Sequence, residues 1–427
     1  MKFAKLSLAA LMALGVSAFA TDVKVDGDVK VYYGTNDADA WHGALLPHPN
    51  NVQDDGTTGG DLFGKHNSYA NAAFRIGLTA KDMPAGLTGR LSLTYLDTFG
   101  LEDSIVNDTW AGNGVGASVW FDEANLKATL FDKTTVIAGR QYLDTPLVFS
   151  EKWNIAANSY DAAVVVDQHI EKTALVAGWI WRSNINGGAT VQGNDRLNNT
   201  LHGLAPDAFP AATQESAFDN YFDTFGKHGA YAVGAVTSLI PMTTAQAWYY
   251  NVDSVADAYW LQADITPDLG GGAKLTFGGQ FAGTQVSGGN EDATVWAVKL
   301  GGDFNGLKLS AAYSSVDKGD LGFANVGGAQ SKLYTEAWWN YGYVSAPDTD
   351  AVNVTAEYSF ADIADFGAYY TATDSNGQNR DLTEFALTVG KNFGAFDTML
   401  AYVYTDAEDQ NNDDSYNTLQ VYLTYNF

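Results

Sequence analysis

The stretch Ser415–Phe427 reads S-Y-N-T-L-Q-V-Y-L-T-Y-N-F. From Leu419 onward, Leu419, Val421, Leu423, Tyr425 and Phe427 fall on one face, and Thr418, Gln420, Tyr422, Thr424 and Asn426 on the other. A strict period of two describes a β-strand with one oily and one wetter face. A strand of a soluble sandwich fits that pattern. So does the closing strand of a membrane barrel, which meets lipid on one side and the lumen on the other. The remainder of the chain separates the two.

At the other end, M-K-F-A-K precedes the apolar run L-S-L-A-A-L-M-A-L-G-V-S-A-F-A, which ends at Ala20. Two lysines, a short apolar core and Ala18-Phe19-Ala20 predict a secretory leader over residues 1–20, cleaved after Ala20. No later stretch approaches the roughly 20 apolar residues of a spanning helix. The chain has no cysteine, so no disulfide holds it together in an oxidising compartment. A formal charge of −27 excludes a nucleic-acid partner, which requires a basic surface. The same charge fits loops or a lumen that gather cations. With 13% aromatic residues and 44 glycines in alternating contexts, the chain is no solvating tail.

Alternation recurs along the whole mature chain. It runs over 23–34, 71–80, 87–95, 117–131, 134–141, 160–167, 173–182, 229–239, 242–251, 256–266, 272–283, 293–303, 306–316, 351–360, 366–373, 382–392, 395–405 and 416–427. Short turns such as Phe304-Asn305-Gly306 and Phe393-Gly394-Ala395 alternate with long polar connections, the longest at 183–228. About eighteen strands of near ten residues, an even count, and long loops opposite short turns predict one all-β domain over 21–427. The predicted fold is an antiparallel transmembrane barrel, closed because lipid satisfies no free backbone edge. At this strand number an aqueous channel is expected inside. Tyr32, Tyr33, Trp179, Trp181, Trp248, Tyr249, Tyr250, Tyr402 and Tyr404 are expected in the interfacial girdles.

With the oily face outward, Arg75, Arg90, Lys127, Arg140, Arg182, Lys274, Lys299 and Lys308 point into the lumen, where charge is tolerated. Arg75, Arg90, Arg140 and Arg182 would form a ladder along one wall. The connection 142–158 carries Leu147, Val148, Phe149 and Trp153, poor choices for a solvated loop. It is therefore expected to fold inward and narrow the pore, with Asp144 and Glu151 facing Arg75, Arg90 and Arg140 across a constriction.

G-R-Q-Y-L-D-T-P-L at Gly139–Leu147, the ending Y-L-T-Y-N-F, the leader and the strand rhythm together resemble the OprD-type porin family. Within that family the chain is similar to the major outer-membrane porins of the epsilon group of proteobacteria. The resemblance implies an eighteen-stranded barrel in the bacterial outer membrane, an inward-folded third loop, a basic ladder and a homotrimer. The residues after the loop proline, Val148-Phe149-Ser150-Glu151-Lys152-Trp153, depart from the family's serine-rich, arginine-bearing continuation. Tyr425 and Phe427 resemble the terminal signal read by the barrel-assembly machinery. The other expected partners are the lipid bilayer with its lipopolysaccharide and small hydrophilic solutes.

No catalytic arrangement is legible. His42, His48, His66, His169, His202 and His228 all fall in connections, outside any nucleophile–base pattern. No cofactor is expected. The acidic run D-A-E-D-Q-N-N-D-D offers Asp406, Asp409, Asp413 and Asp414 as weak Ca²⁺ ligands, without the glycine and glutamate spacing of a dedicated loop. The expected function is passive diffusion of small hydrophilic solutes with a cation preference. The alternatives are a channel specific for small acidic or amino-acid-like solutes, and a plugged barrel acting as an adhesin through long loops such as 183–228 and 318–349.

Overall fold

The computed structural model describes residues 22–39, 60–101, 106, 118–184, 222–225, 228–288, 291–360, 363–376 and 380–427. The expected leader and most of the 183–228 connection lie outside these residues. The described chain forms one antiparallel sheet whose spanning strands are Asp22–Asn36, Ser68–Met83, Leu87–Asp97, Ser118–Leu130, Thr134–Gln141, Tyr160–Asp167, Thr173–Ser183, Ala230–Thr237, Thr243–Val252, Ala256–Ile265, Ala273–Val286, Ala293–Phe304, Leu307–Val316, Thr349–Phe360, Ala364–Ser375, Leu382–Phe393, Phe396–Ala407 and Tyr416–Asn426. These are the eighteen strands of a closed barrel. Asp223–Thr224 and Asp268–Gly270 are short additions to its edges.

Closure is made by the first and last strands. Asp28 lies opposite Asn426, Val31 opposite Leu423 and Asn36 opposite Thr418. The seam ends in a reciprocal pair, with Phe427 N–H donating to Gly27 at 3.0 Å and Gly27 N–H to Phe427 at 2.9 Å. Among the described spanning strands no edge is left for lipid to satisfy.

The pleat sorts the side chains. On Ala293–Phe304, Trp296, Val298 and Leu300 are 46–55% exposed on the outer face, whereas Val295 and Ala297 are 1% exposed on the inner one. The short turns bend through left-handed backbone, as in Phe131–Asp132 (φ 51° and 63°) and Asn305–Gly306 (φ 55° and 92°). Positive φ at both central residues matches the right-handed twist of the flanking strands.

The interior departs from the expected open lumen. Leu147, Val148, Phe225, Phe323, Leu333 and Val344 pack against inward residues of the wall such as Trp248, Trp260, Val295 and Val316. A second cluster joins Tyr32, Trp120, Ile155 and Trp339. Long connections supply the apolar volume that strands of this number cannot supply themselves, so part of the interior is a packed core. For the same reason Tyr32, Trp248 and Tyr250, expected in the girdles, are buried on the inner face at 2–6% exposure. Tyr249 and Trp179 do face outward.

Candidate functional site

One wall of the barrel carries the arginines, and each is matched by a carboxylate on a nearby strand. Arg75 donates from Nε to Asp28 Oδ2 at 2.6 Å. Arg90 holds both oxygens of Asp26, at 2.7 and 2.8 Å, and Glu123 through Nε at 2.9 Å. Arg140 grips both oxygens of Asp161, which also accepts Arg182 Nε at 2.9 Å. The guanidinium fork suits such two-point contacts. These strands therefore present alternating charge rather than a row of bare cations.

A β-bulge raises the charge density of that wall. The ladder shifts between Ser92 and Leu93, where Glu123 and Phe121 pair and Asp122 is the extra residue. Asp122 is 1% exposed and accepts Ser92 Oγ at 3.1 Å together with the Tyr142 hydroxyl, while its neighbour Glu123 meets Arg90. A bulge thus lets consecutive residues serve the same face.

The connection 142–158 does fold into the barrel. Leu147, Val148 and Phe149 are 3–5% exposed. Lys30, on the first strand, seats the loop by donating Nζ to the carbonyls of Lys152 at 3.1 Å and Asn154 at 2.8 Å. Asp144 remains 82% exposed at its side chain and pairs with Lys332. Glu151 differs from expectation. Among the described residues it faces no arginine, and it is 1% exposed, with Oε1 accepting the amides of Ala329 at 2.6 Å and Gln330 at 2.8 Å. Burial pushes its carboxyl above the usual range, against the pull of the Gln330 amide.

Lys332, Ala329 and Gln330 belong to a second infolded connection, 317–348. It crosses the lumen beside the first, with Val326 N–H donating to Leu147 at 3.0 Å and the Asn158 amide to Gly327 at 2.9 Å. The Trp153 and Tyr341 rings meet at 4.6 Å between centroids. On the wall side, Tyr334 bonds to Asp264 at 2.9 Å, and Glu384 accepts the amides of Trp338 and Asn340, each at 2.7 Å. Glu336, within the loop, is pushed up to about 8 by burial, with Glu151 adding to the shift.

Below the two loops, toward the short turns, a cavity of about 730 Å³ remains. Tyr32, Trp153, Tyr334, Trp338, Tyr341, Tyr369 and Tyr422 supply its rings, Lys30, Lys152 and Lys299 its positive groups, and Glu336 and Asp397 its acids. Lys299 lies 3.4 Å from Asp264 and 4.1 Å from the centre of the Tyr334 ring.

A family model described as outer membrane porin, OprD family, matches residues 121–413. The chain belongs to the OprD family. It is an outer-membrane porin in that sense, and the barrel geometry agrees with solved channels. Pseudomonas aeruginosa OpdK, solved with vanillate, superposes with a TM-score of 0.71 at 12% identity, covering 96% of this chain and 99% of that one. P. aeruginosa OccK2 (OpdF), solved in complex with glucuronate, gives 0.69 at 12% identity, with 96% and 99% covered. Acinetobacter baumannii OccAB2 gives 0.70 at 13% identity, with 96% and 98% covered. No curated protein sequence matches the chain.

In this OprD-family barrel the other lysines named from sequence sit away from the ladder. Lys274 and Lys308 lie opposite Asp303, and Lys308 also opposite Glu357, at the periplasmic ends of their strands. Lys127 follows the outward Leu126 near the same rim. Tyr425 and Phe427 stack at 6.1 Å beside the seam. Asp409 is engaged by Arg380 at 3.1 Å and by the Tyr343 hydroxyl, and among the described residues no three acidic or histidine side chains converge on a common point with Asp406, Asp413 or Asp414.

Several residues of the porin's interior were passed over in the sequence. Lys30 shares the inward phase of Asp26 and Asp28 in V-D-G-D-V-K-V, which was signal enough. The doublet Asp122-Glu123 interrupts an otherwise regular strand and so marks its bulge. Trp338, Trp339, Tyr341 and Tyr343 in 317–348 invited the same argument that was made for Leu147 and Phe149. Nothing in the local pattern around Glu384 announced its partners.

Proposed function

We propose that this OprD-family porin conducts small hydrophilic solutes passively and prefers cations. The observation that carries this reading is the charge matching of the arginine wall: Arg75, Arg90, Arg140 and Arg182 each meet Asp26, Asp28, Glu123 or Asp161. A compensated pair leaves little field for a passing anion, and the chain's remaining charge is strongly negative, at −27 overall. In sequence, the long connections hold Asp54, Asp55, Asp61, Glu102, Asp103 and Asp108, which add to that negative balance. In this proposal the protein acts as a homotrimer in contact with lipopolysaccharide. Its affinity with the epsilon-group porins rests on Gly139–Leu147 and the final strand, and it needs no cofactor beyond weak Ca²⁺ binding at the acidic run 406–414.

A second reading is favoured by the cavity beneath the loops. Lysines 30, 152 and 299 beside seven aromatic rings, with Glu336 and Asp397 on the same lining, suit a small solute that carries both a carboxylate and a ring. Relatives solved with vanillate and with glucuronate point the same way.

Planar-bilayer recordings under a KCl gradient test both readings. The reversal potential is expected to have the cation-selective sign, and an anion-selective sign overturns the first reading. Millimolar aromatic carboxylate that blocks the current in a concentration-dependent way supports the second, and unaltered current removes it.

A further inference from the structure

The segment 329–342 of the second infolded loop is held by three glutamates that reach it from three directions. Glu151, on the first loop, accepts the amides of Ala329 and Gln330. Glu336, inside the segment, accepts those of Ser331 at 2.7 Å and Gly342 at 3.4 Å. Glu384, on the wall strand Leu382–Phe393, accepts Trp338 at 2.7 Å, Trp339 at 3.1 Å, and both the backbone and side-chain amides of Asn340, at 2.7 and 2.8 Å. Among the described residues none of the three glutamates forms an ion pair.

A loop packed inside a lumen without a helix or a ladder brings buried N–H groups that water does not reach. Each one left unpaired costs about 1–3 kcal/mol. A carboxylate buried without a cation is costly as well. Brought together, the two needs cancel, and apart both return. The seat is therefore cooperative: amides and carboxylates are satisfied jointly or not at all. Glu384 occupies the decisive position, because from the barrel wall it takes three consecutive backbone amides of this segment, where Gln280 takes only that of Tyr334 at 3.1 Å, and because Ala337, Trp338 and Tyr341 beside it line the cavity. Asn340 extends the tie, donating to Thr405 Oγ1 at 3.1 Å and accepting from Gln410 at 3.1 Å.

We propose that Glu384 is a positioning residue that sets the size limit of the channel, by latching 329–342 across the lumen through the amides of Trp338, Trp339 and Asn340. The narrowest passage then depends on this latch and not on the loop 142–158 alone. The inference does not rest on ion preference, and a channel that proved anion-selective would leave it intact.

Glu384→Ala should raise single-channel conductance about twofold or more and admit neutral oligosaccharides that the native channel excludes from swelling liposomes. Heat-modifiable gel mobility reports whether the barrel has folded. Should the alanine variant yield too little folded barrel, Glu384→Gln is read instead. It keeps the side-chain volume, turns one acceptor into a donor, and should move both readouts in the same direction. Rescue supplies the decisive arm. The chain has no cysteine, and Ser314 Oγ and Thr335 Oγ1 are 2.6 Å apart between wall and loop. With Ser314→Cys and Thr335→Cys added to either variant, oxidation should restore native conductance and size limit, and reduction should raise them again. Native conductance and exclusion in a folded Glu384 variant overturns the proposal. So does a raised conductance that the oxidised tether leaves unchanged.

Discussion

Arg140 grips Asp161 with two parallel hydrogen bonds, Nε to Oδ1 at 2.8 Å and Nη2 to Oδ2 at 3.1 Å. Arg182 uses the same carboxylate, so Asp161 serves two guanidiniums at this end of the wall. Asp161→Asn should lower the cation-to-anion permeability ratio by about two- to fivefold, read from the reversal potential in a salt gradient. Removing one partner of a pair this buried should also cost roughly 3 kcal/mol of barrel stability. An unchanged ratio would show that the wall field does not reach the permeating ion.

Lys30→Met keeps the length of the side chain and removes the donor that holds the carbonyls of Lys152 and Asn154. Charged donors of this kind contribute about 1.5–3 kcal/mol. Loop 142–158 should loosen, with more frequent current fluctuations and faster protease cleavage near Trp153, while the barrel itself still resists protease. A quiet channel would place the loop's anchorage in its apolar residues alone.

Glu336 gives the seat of the second loop a pH dependence with a definite sign. When seated, its carboxyl holds a proton up to about 8, whereas a released loop ionises above the ordinary 4.5. Linkage then favours the seated state fully below that lower value, progressively less as pH rises toward the upper one, and at a constant level beyond it. Glu151 and Tyr341 face this carboxyl from the neighbouring elements, and Lys152 and Lys299 share its cavity. Conductance should therefore rise between about pH 5 and pH 8 and level off above. Glu336→Gln should remove most of the rise, with Glu151 supplying the remainder. Conductance that falls over this range would contradict the assignment.

At the seam, Gly27 has no room for a side chain. A Cβ there would come within 2.4 Å of the Arg75 carbonyl oxygen and 2.5 Å of the Phe427 ring. Gly27→Ala should part the strands locally at a cost of roughly 1–3 kcal/mol, seen as a lower temperature for the loss of heat-modifiable mobility. Deleting Phe427 removes the reciprocal backbone pair and the stack on Phe74 at 6.1 Å. The yield of folded barrel should drop sharply, while the channels that do form conduct normally.

Alternation, together with the rhythm of short turns and long connections, carried the fold, because the pleat forces neighbouring residues to opposite solvents and Leu419–Phe427 or Val23–Val31 display that choice openly. The inward direction of the arginines followed from the same phase, as did the infolding of 142–158 from Leu147, Val148 and Phe149. What stayed hidden depended on the third dimension. Glu151 looked like a pore carboxylate because its partners, the amides of Ala329 and Gln330, have no sequence signature. Asp161 was one acid among many until the fold set two arginines on it. Tyr32, Trp248 and Tyr250 were assigned by distance from strand ends, where their phase would have turned them inward.

The latch also ties together very different lengths of chain. Glu384 follows Asn340 by 44 residues, whereas Glu151 precedes Gln330 by 179. The entropy of closing a loop grows only slowly with the length enclosed, so the distant tie costs little more than the near one. One span of the second loop is therefore fixed by a neighbour in the chain and the other by a residue far upstream, and a change at either place reaches the same passage.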